Sequence, residues 1–117
     1  MGERTVVEFN HVFEERDNPM VYLHWGGATQ EDTANMLLEF IEWQHTGTDP
    51  RWHHTEYLAA RFAAWAYVRF NPSDFGPDGI SVGVTTTDED ADRHVMFDYG
   101  DPPVFIIQDI ASSTENN

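Results

Sequence analysis

Twenty-one carboxylates face six basic side chains, all of them arginine, and the formal net charge is −15 over 117 residues. Any compact fold must hold that charge at its surface against its own repulsion. The charge must be distributed, because residues 1–50 hold ten carboxylates and two arginines and residues 51–117 hold eleven and four. It is therefore not confined to an acidic tail. A surface of this sign repels nucleic acid phosphates and anionic lipid, and attracts basic protein surfaces. Direct binding to DNA or RNA is excluded as an expectation. A partner protein with a basic surface, of the kind found in nucleic-acid-binding machinery, is favoured.

The core that opposes this repulsion is visible in the apolar content. Apolar residues make up 40% and aromatics 14% of the chain, with eight Phe and four Trp. That is enough for one packed domain, expected over residues 1–110, with 111–117 as a polar, frayed tail. Cysteine is absent. A disulfide framework and a thiol nucleophile are thereby excluded, which fits a reducing cytoplasm. The start of the chain lacks the cationic and apolar regions of a secretory signal. No apolar run approaches the ~18 residues of a membrane span.

The elements follow from local pattern. The β-branched and aromatic run Thr5–Phe13 predicts a strand, and Met20–Trp25 a second, stopped by Gly26 and Gly27. The two form a hairpin across a charged turn at 14–19. Thr29 is placed to cap a helix whose first turn holds Glu31 and Asp32, running to residue 44 or 45. Ala34, Leu37, Leu38 and Ile41 recur at i, i+3, i+4, i+7, with Met36, Phe40 and Trp43 widening the apolar face. A second helix is expected from Thr55 to about Phe70. It is apolar almost all round, with Leu58, Phe62 and Trp65 on one face and Tyr57, Ala64 and Val68 on the next. Such a helix is expected to be the most buried element, lying between the sheet and another layer or in a homodimer interface.

Ile80–Thr85, His94–Tyr99 and Val104–Ile110 predict three further strands, with an acidic hairpin turn at Asp88–Asp92. The order ββααβββ implies an α+β domain: a mostly antiparallel sheet of about five strands, with two helices packed on one face.

Candidate chemistry is sparse. His53, His54 and Glu56 match no standard ligand spacing, so no metal site is expected. Asp88, Glu89, Asp90 and Asp92 are spaced superficially like a calcium loop. They lack its mid-loop glycine and terminal glutamate, so an EF-hand is excluded. No Ser/His/Asp arrangement, dinucleotide fingerprint or P-loop lysine occurs, and neither an enzymatic activity nor a cofactor is expected. Two groups of residues remain. His24, Trp25, Gly26 and Gly27 form a strand-end turn, where side chains project. With Arg61 of the second helix, this turn is a candidate small-molecule site. Arg61 and Arg69, on a helix with little polar surface, call for carboxylate partners, with Asp98 or a glutamate of the first helix as candidates. The second group is the acidic arc of the first helix. Glu31, Asp32, Glu39 and Glu42 fall within about 100° of its circumference. They form a line of negative charge with no arginine on the same helix. With Asp88, Glu89, Asp90 and Asp92, they are the candidate partner-binding residues.

Val21-Tyr22-Leu23-His24-Trp25-Gly26-Gly27, Tyr57-Leu58-Ala59-Ala60-Arg61-Phe62 and Gly79-Ile80-Ser81-Val82-Gly83 occur in that order. Together they resemble a group of small phage and prophage proteins. Those proteins carry H-W-D-G after a strand, a helix around L-A-A-R-F and a closing β region. The similarity covers residues 20–110. Gly26 stands where that group has Asp, and Gln30 and Glu31 follow without its Pro. The resemblance implies a phage or mobile-element setting and no specific chemistry. With the acidity, it implies an accessory protein that occupies a basic nucleic-acid channel of a host protein, as anti-CRISPR inhibitors do. The rival expectations are a small-molecule-sequestering protein, or an ordinary cytoplasmic protein of a salt-adapted organism whose acidity and missing lysine reflect habitat.

Overall fold

The computed structural model describes residues 4–10, 18–24, 29–45, 55–70, 82–87, 89, 91–98 and 103–110. Seven elements follow in order: β1 (Thr5–Phe9), β2 (Met20–Leu23), α1 (Gln30–Gln44), α2 (Thr55–Phe70), β3 (Val82–Thr85), β4 (Arg93–Asp98) and β5 (Val104–Asp109). The protein is α+β, with two helices and one five-stranded sheet in the order β3-β2-β1-β4-β5.

The sheet is mixed, which corrects the expectation of a mostly antiparallel arrangement. β1 pairs antiparallel with β2, β2 with β3 and β4 with β5. The central pair, β1 with β4, is parallel, with Thr5 opposite Arg93 and Phe9 opposite Phe97. The acidic segment after β3 is therefore not a hairpin turn. It carries the chain from one edge of the sheet past β2 and β1 to the far side of β1. There Asp92 N–H donates to the Arg4 carbonyl at 2.7 Å and starts β4. Adjacent strands in sequence suggest a hairpin, but only long-range pairing decides which strands become neighbours.

Alternation divides the sheet into two faces. Val7, Phe9, Val21, Leu23, Val95 and Phe97 point to the core. They meet Met36, Leu37 and Phe40 of α1 and Leu58, Ala59, Phe62 and Ala66 of α2. Four phenylalanines form its centre. Phe40 sits edge-on to Phe62 with centroids 5.0 Å apart, and Phe9 lies 5.6 Å from Phe62 and 5.4 Å from Phe97. Such tilted pairs add to the burial of the rings. The opposite face carries Val6, Glu8, Met20, Tyr22, His94, Met96, Val104 and Ile106 and receives no helix residue in the core.

α1 begins as the sequence implies. The Thr29 side chain accepts from Asp32 N–H at 3.1 Å, and the Asp32 carboxylate accepts from Thr29 N–H at 3.3 Å, closing a capping box. Its buried arc is Thr33, Met36, Leu37, Phe40 and Gln44. This lies roughly one residue, about 100°, round from the arc the periodicity predicts. Leu38 and Trp43 consequently stand exposed instead of in the core. α2 buries one side only. Tyr57 and Val68 face solvent, and β1 and β4, not α2, are the most buried elements.

A buried arginine holds the end of this layer. Arg93 lies on the core face of β4 with its side chain 4% exposed. It donates from Nε to Asp109 Oδ1 at 2.7 Å, and from Nη1 to Thr33 Oγ1 at 2.9 Å and the Thr29 carbonyl at 3.2 Å. One guanidinium thus ties β4, β5 and the first turn of α1.

Candidate functional site

The outward side of α1 gathers the acidic candidates, and the structure sorts them into different roles. Glu31 and Glu42 are exposed. Asp32 is exposed but committed to the helix cap. Glu39 accepts from Arg69 at both oxygens, Nε at 3.0 Å and Nη2 at 3.2 Å. Arg69 also lies 5.8 Å from the centre of the Trp65 ring. A helix-one glutamate is thus the partner of one α2 arginine. The same pairing means that an arginine does reach the acidic line, from the neighbouring helix. The uninterrupted charge on this face is carried by Glu31 and Glu42.

On either side of this acidic arc the rotation of α1 has placed apolar surface. Leu38 is 54% exposed and Trp43 46% exposed. At about 100° per residue the two stand on either side of the acidic arc, so the face is acidic and polar at its centre, with Asn35 between Glu42 and Glu39, and apolar at its two edges. Sequence reasoning assigned Leu38 and Trp43 to the core because α1 has more apolar positions than one arc can bury.

The remaining candidates do not join this face. Glu89 is exposed, its backbone N–H held by Thr87 Oγ1 at 3.1 Å. Asp92 accepts from Arg4 N–H at 3.1 Å and approaches Arg4 Nε at 3.7 Å, across the sheet from α1's outer side. Asp88 and Asp90 lie outside the described residues, as do Trp25, Gly26, Gly27, His53 and His54. His24 is exposed at the end of β2, and Arg61 is half-buried on α2.

A polar pair that sequence reasoning missed lies on the helix-free face. His94 Nε2 and Glu8 Oε1 are 2.8 Å apart, and Asn18 Nδ2 donates to the other Glu8 oxygen at 2.7 Å. Both ring and carboxylate are largely shielded. The two residues are 86 apart in sequence and meet only because β1 and β4 are neighbours. Among the described residues no three His, Asp or Glu side chains group in a way that could hold a metal ion. No helix there is long and apolar enough to cross a membrane.

Comparison of the chain with protein-family models, with curated proteins and with solved structures finds no match.

Proposed function

We propose that the protein is a non-catalytic binding protein whose outer α1 face docks on a basic surface of a partner, displacing nucleic acid from it. The observation that carries this reading is the composition of that face: Leu38 and Trp43 exposed on either side of the arc that holds Glu31 and Glu42, on a chain of net charge −15. Exposed apolar and aromatic side chains supply desolvated contact area, which dominates affinity at protein interfaces. The carboxylates between them steer the encounter and repel acidic partners. Glu39 contributes less charge than its position implies, because Arg69 neutralises it. The phage resemblance supplies the setting: an accessory protein acting in a host cytoplasm against nucleic-acid-guided defence machinery.

The test is competition between this protein and labelled guide RNA or target DNA for a panel of purified CRISPR effector complexes. Wild type displaces the nucleic acid from at least one effector, with an apparent affinity that falls steeply with salt. Glu31→Gln with Glu42→Gln mainly slows association, and Leu38→Ala with Trp43→Ala mainly speeds dissociation. Full competition by the folded quadruple variant would refute the assignment of this face. Absence of competition by wild type across the panel would refute the partner class.

A further inference from the structure

A pocket of about 180 Å3 opens on the helix-free side of the sheet, lined by Arg4, Val6, Tyr22, Thr85, Thr87 and Ala91. We infer that it is a binding site for a small aliphatic monocarboxylate, independent of the α1 face. Its floor at Val6 and its wall at Ala91 are apolar, and both residues are buried. Its wall is formed by Thr87 and Ala91, which lie in sequence between β3 and β4 and stand over strands they do not pair with. Space beside the Tyr22 ring is kept by Gly83, which sits opposite Tyr22 on β3 and would meet nothing within 4 Å if it carried a Cβ.

Four side chains with donors border this space, and three of them, Thr87, Tyr22 and Arg4, have a donor for a ligand. Thr85 is occupied in holding the wall, as its hydroxyl donates to the Thr87 carbonyl at 3.0 Å and accepts from Thr87 N–H at 3.2 Å. The Thr87 hydroxyl oxygen accepts from Glu89 N–H, which leaves its own hydrogen to donate. The Tyr22 hydroxyl makes no hydrogen bond to another described residue. Arg4 is held on one side by Asp92, whose Oδ2 lies 3.7 Å from Nε. Its terminal nitrogens make no hydrogen bond to another described residue and remain for a ligand. Arginine presents a planar fork that matches a carboxylate.

The surrounding charge selects the ligand further. Asp92 and Glu89 flank the pocket, and the whole chain is strongly acidic. In a net repulsive field a dianion is disfavoured twice as strongly as a monoanion, so a ligand with a single negative charge is preferred to phosphate. A carboxylate on a short apolar stem places its head on Arg4 and Tyr22 and its stem over Val6 and Ala91. Butyrate is a probe of suitable size.

The experiment is a titration of sodium butyrate into the 15N-labelled full-length chain at neutral pH. Sodium chloride holds the ionic strength constant, and amide resonances of Arg4, Tyr22, Thr85 and Thr87 are followed. Saturable shifts centred on these residues are expected, with a dissociation constant on the order of millimolar for a ligand of this size. Butyramide, isosteric but uncharged, should bind at least tenfold more weakly. Arg4→Gln should weaken butyrate by a similar factor and Tyr22→Phe by a few-fold, each with the remaining spectrum unchanged. Shifts that rise linearly without saturation, equal shifts with butyramide, or unaltered binding in both folded variants would overturn the assignment. Because the α1 face is not involved, Glu31→Gln with Glu42→Gln should leave butyrate binding intact.

Discussion

Removing the Asp109 carboxylate should destabilise the fold more than its surface position implies. The Asp109 side chain is 58% exposed, and exposed ion pairs contribute about 0.2–1 kcal/mol. Its partner is different: Arg93 is 4% exposed, and Asp109 takes its shortest hydrogen bond, 2.7 Å. Asp109→Ala leaves that cation buried without its carboxylate, still bonded to the Thr33 hydroxyl and the Thr29 carbonyl. A hydrogen bond to a charged group contributes about 1.5–3 kcal/mol, and a buried charge left without its counterion costs more than the bond alone. Water around Asp109 screens part of this, so a loss of about 2 kcal/mol is expected at neutral pH, equivalent to roughly 8 °C in Tm.

Arg93→Met removes the cation together with its bonds to Asp109, Thr33 and Thr29 and should cost about 2–3 kcal/mol, since no buried charge is stranded. The double variant should be more stable than the sum of the singles by at least about 1 kcal/mol. The pH dependence has a definite sign. The hydrogen bond from Arg93 holds the Asp109 carboxyl below its ordinary value of 3.8, and a hydrogen bond from Gln30 acts in the same direction. The folded state therefore binds fewer protons than the unfolded state in the acid range. The pair's contribution is complete above the ordinary carboxylate value and is lost as pH falls through the lowered one. Urea unfolding followed by tryptophan fluorescence at neutral pH, and at steps down into that range, should show wild type and Asp109→Ala converging in stability. A difference under about 0.5 kcal/mol at neutral pH, or one that persists unchanged in acid, would refute the reasoning.

Phe62→Ala opens the aromatic centre shared with Phe9 and Phe40 and should cost about 3–5 kcal/mol in the same assay, with Phe62→Leu costing clearly less. Gly83→Ala should stabilise β3 by about 0.5 kcal/mol in urea unfolding, because the added Cβ meets nothing within 4 Å and the unfolded chain loses freedom. Added sodium chloride between low and physiological strength should raise Tm in calorimetry, since it screens the repulsion of a −15 chain; an unchanged or lowered Tm would show that repulsion is a minor contribution.

What the sequence determined by itself is local. Thr29 with Asp32 sets the start of α1, because a cap needs only residues within one turn. The ends of α2 and the five strand segments likewise follow from periodicity and breakers. The aromatic supply of the core is readable from composition, and the likelihood of an interhelical pair from two arginines on an apolar helix. What only the tertiary structure decided is which of several equivalent local choices is used. α1 carries apolar residues over more than half its circumference. Packing of Phe40 against Phe62 and Phe97 selected the arc, turning Leu38 and Trp43 outward. Strand patterns do not encode direction or neighbour, so the parallel β1–β4 pair is invisible in them. With that pair came the Glu8–His94 contact and the path of the β3–β4 segment over Val6. The arginine that most needs a partner is Arg93, in an alternating strand, rather than Arg61 or Arg69 on the apolar helix. Its burial arises where β4, β5 and the N-terminus of α1 converge, and no local segment contains all three.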